Sequence, residues 1–217
     1  MLNRNMKDIV YVLAKTEDDK KEAVFLMEKE YVKQGYLKPG AVQNIEISNN
    51  GSVTFLAKYN NKIVGTVSIF FDSELGLPMD AIYKKETDVL RSQNKKIVEV
   101  GRLAIDNIFL SNEAGFKKKY NSLFLVSSLF KLVFHYCIYK NFDNICIAIN
   151  PKHDLFYKSL FFENIGGLKF YPSVNNAPAL AKTIDLKNYK NKRVKNYLLD
   201  KLFFDNPPDY KIFETQL

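Results

Sequence analysis

The chain of 217 residues has no tryptophan and only two cysteines, Cys137 and Cys146, both inside apolar segments. Two thiols without metal-type spacing exclude a disulfide framework and a cysteine-based metal centre. Long apolar runs are missing too. The most apolar stretch, Leu123 to Ile138, is interrupted by Ser127, Ser128, Lys131 and His135, so no transmembrane segment is expected. Met1 to Asp8 is polar and holds no secretory apolar core. A reducing cytoplasm is the expected setting. Glycine is absent where a nucleotide-type cofactor would want it: between Asn107 and Tyr120 there is only Gly115. A pyrophosphate at a helix N-terminus needs the close backbone approach that glycines permit.

What the chain does contain is globular. Hydrophobic residues make up 47% and charged residues 26%, a balance that buries a core. The length suits one domain, or one domain with a small appendage. Seventeen Phe and thirteen Tyr reflect either AT-rich codon usage or a large apolar cavity. The net charge of +8 points to an acidic partner. No basic run is long enough to favour nucleic acid.

The hydrophobic periodicity places a strand at Ile9–Ala14 and a helix at Glu17–Gln34 capped by Thr16 and ended by Gly35. Two strands, Ser52–Tyr59 and Lys62–Phe71, flank the hairpin dipeptide Asn60-Asn61. A helix at Pro78–Ser92 and a strand at Ile97–Asp106 follow. Tyr120–Lys140 is apolar on nearly all sides and reads as the central buried helix. A short apolar strand at Asn144–Ile149, a helix at Pro151–Glu163 and strands at Leu168–Tyr171 and Ala179–Leu186 complete the order. This predicts an α/β (α+β) fold with a mixed sheet flanked by helices. Residues 1–186 form the expected domain. Residues 187–217 form the expected C-terminal extension, a basic amphipathic helix packed on the same domain, with Lys187, Lys190, Lys192, Arg193 and Lys195 among interleaved Tyr, Val and Leu, closed by Pro207-Pro208.

Charge enters an apolar strand at Glu99 and at Arg102, the latter within Val100-Gly101-Arg102-Leu103-Ala104-Ile105-Asp106. That motif resembles the R-L-A-V strand of the GNAT N-acyltransferases. Asn150 through Phe162, with Phe156-Tyr157 and Phe161-Phe162, resembles their aromatic helix. The glycine-poor segment departs from the acetyl-coenzyme A users of that superfamily. A narrower resemblance is to the FeeM-type long-chain N-acyl amino acid synthases, relatives of the autoinducer synthases. It is carried by Glu30-Tyr31-Val32, Gly35-Tyr36, Leu77-Pro78-Met79-Asp80, Glu99-Val100-Gly101-Arg102, Asn150-Pro151-Lys152-His153 and Tyr171-Pro172. The missing tryptophan argues against the S-adenosylmethionine acceptor of the autoinducer synthases.

The resemblance implies a mostly antiparallel GNAT sheet and an acyl group moved from acyl carrier protein to the amine of an amino acid or small amine. The acyl-phosphopantetheine of the carrier would be the donor, with no tightly bound cofactor; acyl-coenzyme A is the disfavoured alternative. A non-catalytic lipid-binding module on the same fold is the reading from a different class. Glu99 is the candidate base, or half of an ion pair with Arg102. Strand residues three apart face opposite sides, so that pair needs a bulge. Arg102 either orients Glu99 or holds an acceptor carboxylate. Backbone N–H groups near Leu103, Ala104 and Ile105 would bind the thioester carbonyl. Tyr157 would protonate the leaving thiol, or is a core tyrosine. His153 caps or lines its helix, and Glu30 and Tyr31 border the acceptor pocket. His135 reads as structural. The lysine and arginine cluster from Lys187 to Lys195 is a carrier-docking candidate, or solvated surface charge. No metal site is expected.

Overall fold

The computed structural model describes residues 8–40, 51–110, 115–189, 203 and 207–214. Strand β1 (Val10–Leu13) leads through Thr16 into helix α1 (Glu17–Lys33). The Thr16 hydroxyl accepts from the Asp19 amide at 3.0 Å, satisfying one of the helix's orphan donors. Gly35, with φ +73°, turns the chain away at the other end. Strands β2 (Ser52–Tyr59) and β3 (Lys62–Phe71) form the expected hairpin. Asn60 and Asn61 have φ of 48° and 60°, the conformation a tight two-residue hairpin turn demands.

Helix α2 (Asp80–Ser92) starts two residues later than the periodicity predicts. Strand β4 (Ile97–Ile105) follows, then a one-turn helix α3 (Asn107–Leu110) and the long helix α4 (Gly115–Tyr139). The segment expected to be a loop up to Tyr120 is therefore helical from Gly115. Between Asn121 and Tyr139, α4 is long and apolar enough by composition to cross a membrane, but Leu125, Leu129, Phe130, Val133 and Phe134 are buried in the core.

Strand β5 (Asn144–Ile149) leads into a short helical turn at Pro151–His153 and helix α5 (Asp154–Ser159). The predicted helix to Glu163 stops early. Phe161 takes a φ of 65°, which breaks the helix, and Glu163–Asn164 forms a short strand β6. That break puts Phe162 into the core. Strands β7 (Lys169–Tyr171) and β8 (Ala177–Asp185) and the short helix α6 (Leu186–Tyr189) follow, and a short helical turn at Tyr210–Phe213 completes the described order.

The sheet runs β1-β2-β3-β4-β5-β8-β6, with β7 paired to β8. The β4–β5 pairing is parallel and the other described pairings are antiparallel. Helix α4 covers one face, over Val98, Val100, Ile145 and Ile147. Helices α1 and α2 cover the other, over Ala104 and over Ile97 with Cys146. Phe203 and Phe213 join the α4 side, and His135 ties them in: its Nε2 lies 3.0 Å from the Phe203 carbonyl and its Nδ1 3.2 Å from the Tyr210 hydroxyl.

Candidate active site

Strands β4 and β5 pair only from Ile97↔Asn144 to Glu99↔Cys146. Beyond that point β4 stays with β3 and β5 with β8, so the sheet opens into a wedge. A bulge in β4 accounts for the parting. Thr66 pairs with Ala104 and Ser68 with Gly101, so Val67 opposes both Arg102 and Leu103. Arg102 takes a left-handed φ of 51° to accommodate the extra residue. Two residues against one bends the strand and breaks its ladder locally.

The bulge also rephases the strand. Val98 and Val100 point to the α4 face, whereas Ala104, which simple alternation would place with them, packs against Leu26 and Met27 of α1. The Arg102 guanidinium lies 5.0 Å over the ring of Phe70, the residue that pairs with Glu99. Paired residues share a face, so Arg102 is brought to the side of the sheet that Glu99 occupies.

A cavity of about 580 Å³ fills the wedge. This is the size of a small-molecule site. Glu99 stands where the strands part, with a relative exposure of 6%. Its Oε2 accepts from the Met79 amide at 2.7 Å. Burial pushes its carboxyl up to about 8; the Met79 amide opposes this and the charge of Asp80 adds to it. Arg102 lines the same cavity and, among the described residues, forms no ion pair or hydrogen bond. Burial lowers its affinity for the proton, with Tyr31 acting the other way.

Aromatic side chains build the remaining walls. Tyr31 packs edge-on against Tyr36 with centroids 5.8 Å apart, and burial pushes its hydroxyl up to about 12. The Tyr36 hydroxyl is buried without a partner among the described residues. Tyr157, one turn into α5, is wedged between Phe130, Phe156 and Phe162 at 5.5, 5.1 and 5.7 Å. Burial raises its hydroxyl well above the usual phenol range, so it carries its proton at neutral pH. His153 precedes α5 without a side-chain capping bond; it lines the cavity, and burial and then Lys152 lower its proton affinity.

The structure thus gathers Glu99, Arg102, Leu103, Tyr31, Tyr157 and His153 around one cavity. It places Glu30, Ala104 and Ile105 elsewhere. Glu30 is buried, its Oε1 bound to Lys33 at 2.8 Å and its Oε2 to the Asn107 side-chain amide at 2.6 Å, so it ties α1 to α3 and does not border the pocket. Ala104 packs on α1, and Ile105 pairs with Gly65 beyond the bulge. The two residues that the bulge takes out of the pairing register are Arg102 and Leu103, of which Leu103 opens the predicted segment. Lys187 is exposed and pairs with Asp143 at 2.7 Å. Lys190, Lys192, Arg193 and Lys195 lie outside the described residues. Among the described residues no group of three His, Cys, Asp or Glu side chains could hold a metal ion.

Sequence reasoning assigned no role to Tyr36, Phe70, Phe130 or Tyr171, all of which line the cavity. Their signal was the excess of Phe and Tyr, which marks a cavity without saying which rings form it. It also missed Met79, whose contribution is a backbone amide and leaves no trace in side-chain chemistry.

Comparison with known proteins fits this geometry. Residues 22–185 match the family model described as N-acyl amino acid synthase FeeM. The solved structure of FeeM, an N-acyl amino acid synthase from uncultured soil microbes, is 34% identical, with 84% of this chain and 94% of that chain covered and a TM-score of 0.73. A CoA-dependent acyl-homoserine lactone synthase, BjaI, shares the fold at 15% identity and a TM-score of 0.59, with 94% and 95% covered. An N-acetyltransferase from Staphylococcus aureus Mu50 does so at 16% identity and a TM-score of 0.57, with 83% and 99% covered. Among curated proteins no relative matches. The parted sheet, the bulged strand and these likenesses together place the chain in the FeeM family, as an N-acyltransferase built on the GNAT fold.

Proposed function

We propose that the protein transfers a medium- or long-chain acyl group from acyl carrier protein to the amino group of an amino acid, giving an N-acyl amino acid of the kind used as a lipid signal or surfactant. The observation that carries this reading is the meeting, in one cavity, of the Arg102 guanidinium with a carboxyl poised near neutrality, Glu99. A cation without an ion-pair partner among the described residues suits a substrate carboxylate, and a bidentate Arg–carboxylate contact would orient the amine beside it. Glu99, once ionised, takes a proton from that ammonium group, directly or through water. The free amine attacks the thioester carbonyl carbon. Backbone N–H groups at the Arg102–Leu103 bulge face the oxyanion that forms. The C–S bond then breaks, the thiolate takes the proton of the Tyr157 hydroxyl, and the nitrogen gives up its second proton through water to the tyrosinate; Glu99 returns its proton to water, leaving an amide, a free thiol and both side chains as they began.

Three features support a carrier-borne donor: the net charge of +8, the basic run from Lys187 to Lys195, and one glycine between Asn107 and Tyr120. Acidic carrier proteins are steered by positive surfaces. BjaI, which shares the fold, is a CoA-dependent synthase, and this keeps acyl-coenzyme A as the second reading for the donor. The deciding experiment supplies matched acyl chains on carrier protein and on coenzyme A to the purified protein, with a panel of amino acids, and identifies products by mass spectrometry. Acyl amino acid formed faster from the carrier is the expected result. Turnover of acyl-coenzyme A alone would overturn the donor, and product only from amines lacking a carboxylate would overturn the acceptor.

A further inference from the structure

Close enough to Glu99 for the charge of Asp80 to act on it, a dense polar cluster whose residues do not line the cavity is left unused by the proposed chemistry. Arg91, in the last turn of α2, spends its whole fork there. Its Nε and Nη2 bind both oxygens of Asp72 at 2.8 and 2.7 Å, and Nη2 also binds Asp80 Oδ2 at 2.6 Å. Its Nη1 reaches Asp88 at 2.7 Å and the Thr87 hydroxyl oxygen at 3.0 Å. Asp80 is held from three directions. Besides Arg91, its Oδ2 accepts from the Leu77 amide at 2.9 Å and its Oδ1 from the Thr87 hydroxyl at 2.5 Å. Gly76 leaves room for this: its φ is +75°, and a Cβ there would lie 2.3 Å from Asp80 Oδ2.

The cluster closes the turn between Gly76 and Asp80, and that turn carries Met79. The Met79 side chain is fully buried, and its amide donates to Glu99 Oε2. The Pro78 carbonyl accepts from the Tyr171 hydroxyl at 2.5 Å, fixing the same turn from the β7 side. We propose that Arg91 is a positioning residue for Glu99: by clamping Asp80 it aims the Met79 amide at the carboxylate and neutralises the charge that would otherwise oppose ionisation there.

Both effects act in one direction. A carboxylate that accepts an amide hydrogen bond is favoured, and a nearby uncompensated negative charge disfavours it. Removing Arg91 therefore holds the proton on Glu99 to higher pH. The other groups facing Glu99 are Tyr31 from α1, Cys146 from β5, Tyr171 from β7 and, on its own strand, Arg102; Asp80 itself comes from the start of α2, with Asp72 and Arg91 behind it. Cys146 also feels the charges of Arg91 and Asp72, and Tyr171 that of Asp80; Tyr31 and Arg102 have no hydrogen bond or ion pair with Arg91 among the described residues.

The catalytic meaning of this clamp rests on Glu99 being the base, but its test does not need turnover. In full-length protein labelled with carboxyl-¹³C glutamate, the Glu99 resonance is identified by its loss in Glu99→Gln and titrated without substrate. Arg91→Met is expected to raise the midpoint by about one pH unit, a tenfold change in acidity. Arg91→Lys should recover part of it. Thr87→Val, which keeps the shape and removes the hydroxyl, should shift the midpoint the same way by less. A merely structural role would lower the melting temperature of these variants and leave the midpoint unmoved. That outcome in folded Arg91→Met, or in Thr87→Val if the methionine variant does not fold, overturns the proposal. A shifted midpoint in a protein whose acyl transfer ignores Glu99→Gln would sustain the clamp and remove only the base.

Discussion

Glu99 and Arg102 share a face of β4 and do not pair. Strict alternation would have set them on opposite sides; the bulge at Arg102–Leu103 brings them together. Yet Glu99 turns to the Met79 amide at 2.7 Å, and Arg102 lies over the Phe70 ring at 5.0 Å. The unpaired state matters because an ion pair would hold Glu99 ionised and low in basicity. Left apart, one group can titrate near neutrality while the other keeps its charge for a ligand.

If Glu99 is the base, it dictates the pH dependence of acyl transfer. A general base must be deprotonated, so kcat/KM should rise with pH through a midpoint near 8. An α-amino group titrates in the same region. Varying the basicity of the acceptor amine separates the two: the limb near 8 stays in place across acceptors if it belongs to Glu99 and moves with the amine if it does not. Glu99→Gln should lower kcat by about 10²-fold or more and abolish the limb. An intact limb in the glutamine variant would assign it to another group.

The same raised carboxyl has a stability consequence of definite sign. A group protonated more readily in the folded state binds extra protons there between its unfolded value, near 4.5, and about 8. Its contribution is fully present below that window and lost as pH rises through it. Glutamine, uncharged at every pH, escapes the loss. Glu99→Gln should therefore melt close to the parent at pH 5 and be the more stable protein at pH 8.5, by a few kcal/mol at about 1.4 kcal/mol for each pH unit separating the two titrations. Thermal unfolding across that range reads the difference, and a constant gap would contradict the buried, raised carboxyl.

Much of this architecture was legible in the pattern of residues. Asn60-Asn61, Thr16 and Gly35 act locally, so their turn, cap and stop appear where the chain announces them. The register of β4 with β5 did not appear, because pairing that ends at Glu99 is decided by the bulge and by what β8 does to β5. Glu30 was drawn toward the pocket by its neighbour Tyr31; on a helix adjacent residues diverge by about 100°, and Glu30 went to Lys33 and Asn107. The aromatic helix ended early for a similar reason: burying Phe162 required Phe161 to leave the helical region. The Arg91 clamp joins Asp72, Asp80, Thr87 and Asp88 across a strand end and a helix, and spacing alone does not single it out.

Arg102 makes a prediction about acceptors. Arg102→Gln removes the cation, and Arg102→Gly also relieves the left-handed backbone. Both should raise KM for a free amino acid roughly 10- to 100-fold, the scale of about 1.5–3 kcal/mol for a hydrogen bond to a charged group. Neither should raise KM for the corresponding methyl ester, which presents no carboxylate. Parallel losses for acid and ester would mean that Arg102 supports the bulge and does not bind the acceptor.

The donor reading yields a test that separates steering from chemistry. If the basic run docks an acidic carrier protein, charge reversal at Lys192, Arg193 and Lys195 should weaken encounter and leave the chemical step unchanged. KM for acyl carrier protein should rise several-fold and its salt dependence should flatten, because screened long-range attraction is what the variant has lost. KM for the same acyl chain on free pantetheine should not change, since that small donor meets the cavity without the protein surface. Lys187 is a weaker choice for reversal, because its ammonium already pairs with Asp143 at 2.7 Å and the change would also unpair a carboxylate. Equal kinetics for the parent and the reversed protein with carrier-borne donor would remove these lysines and this arginine from docking, while leaving Glu99, Arg102 and the wedge as the place of transfer.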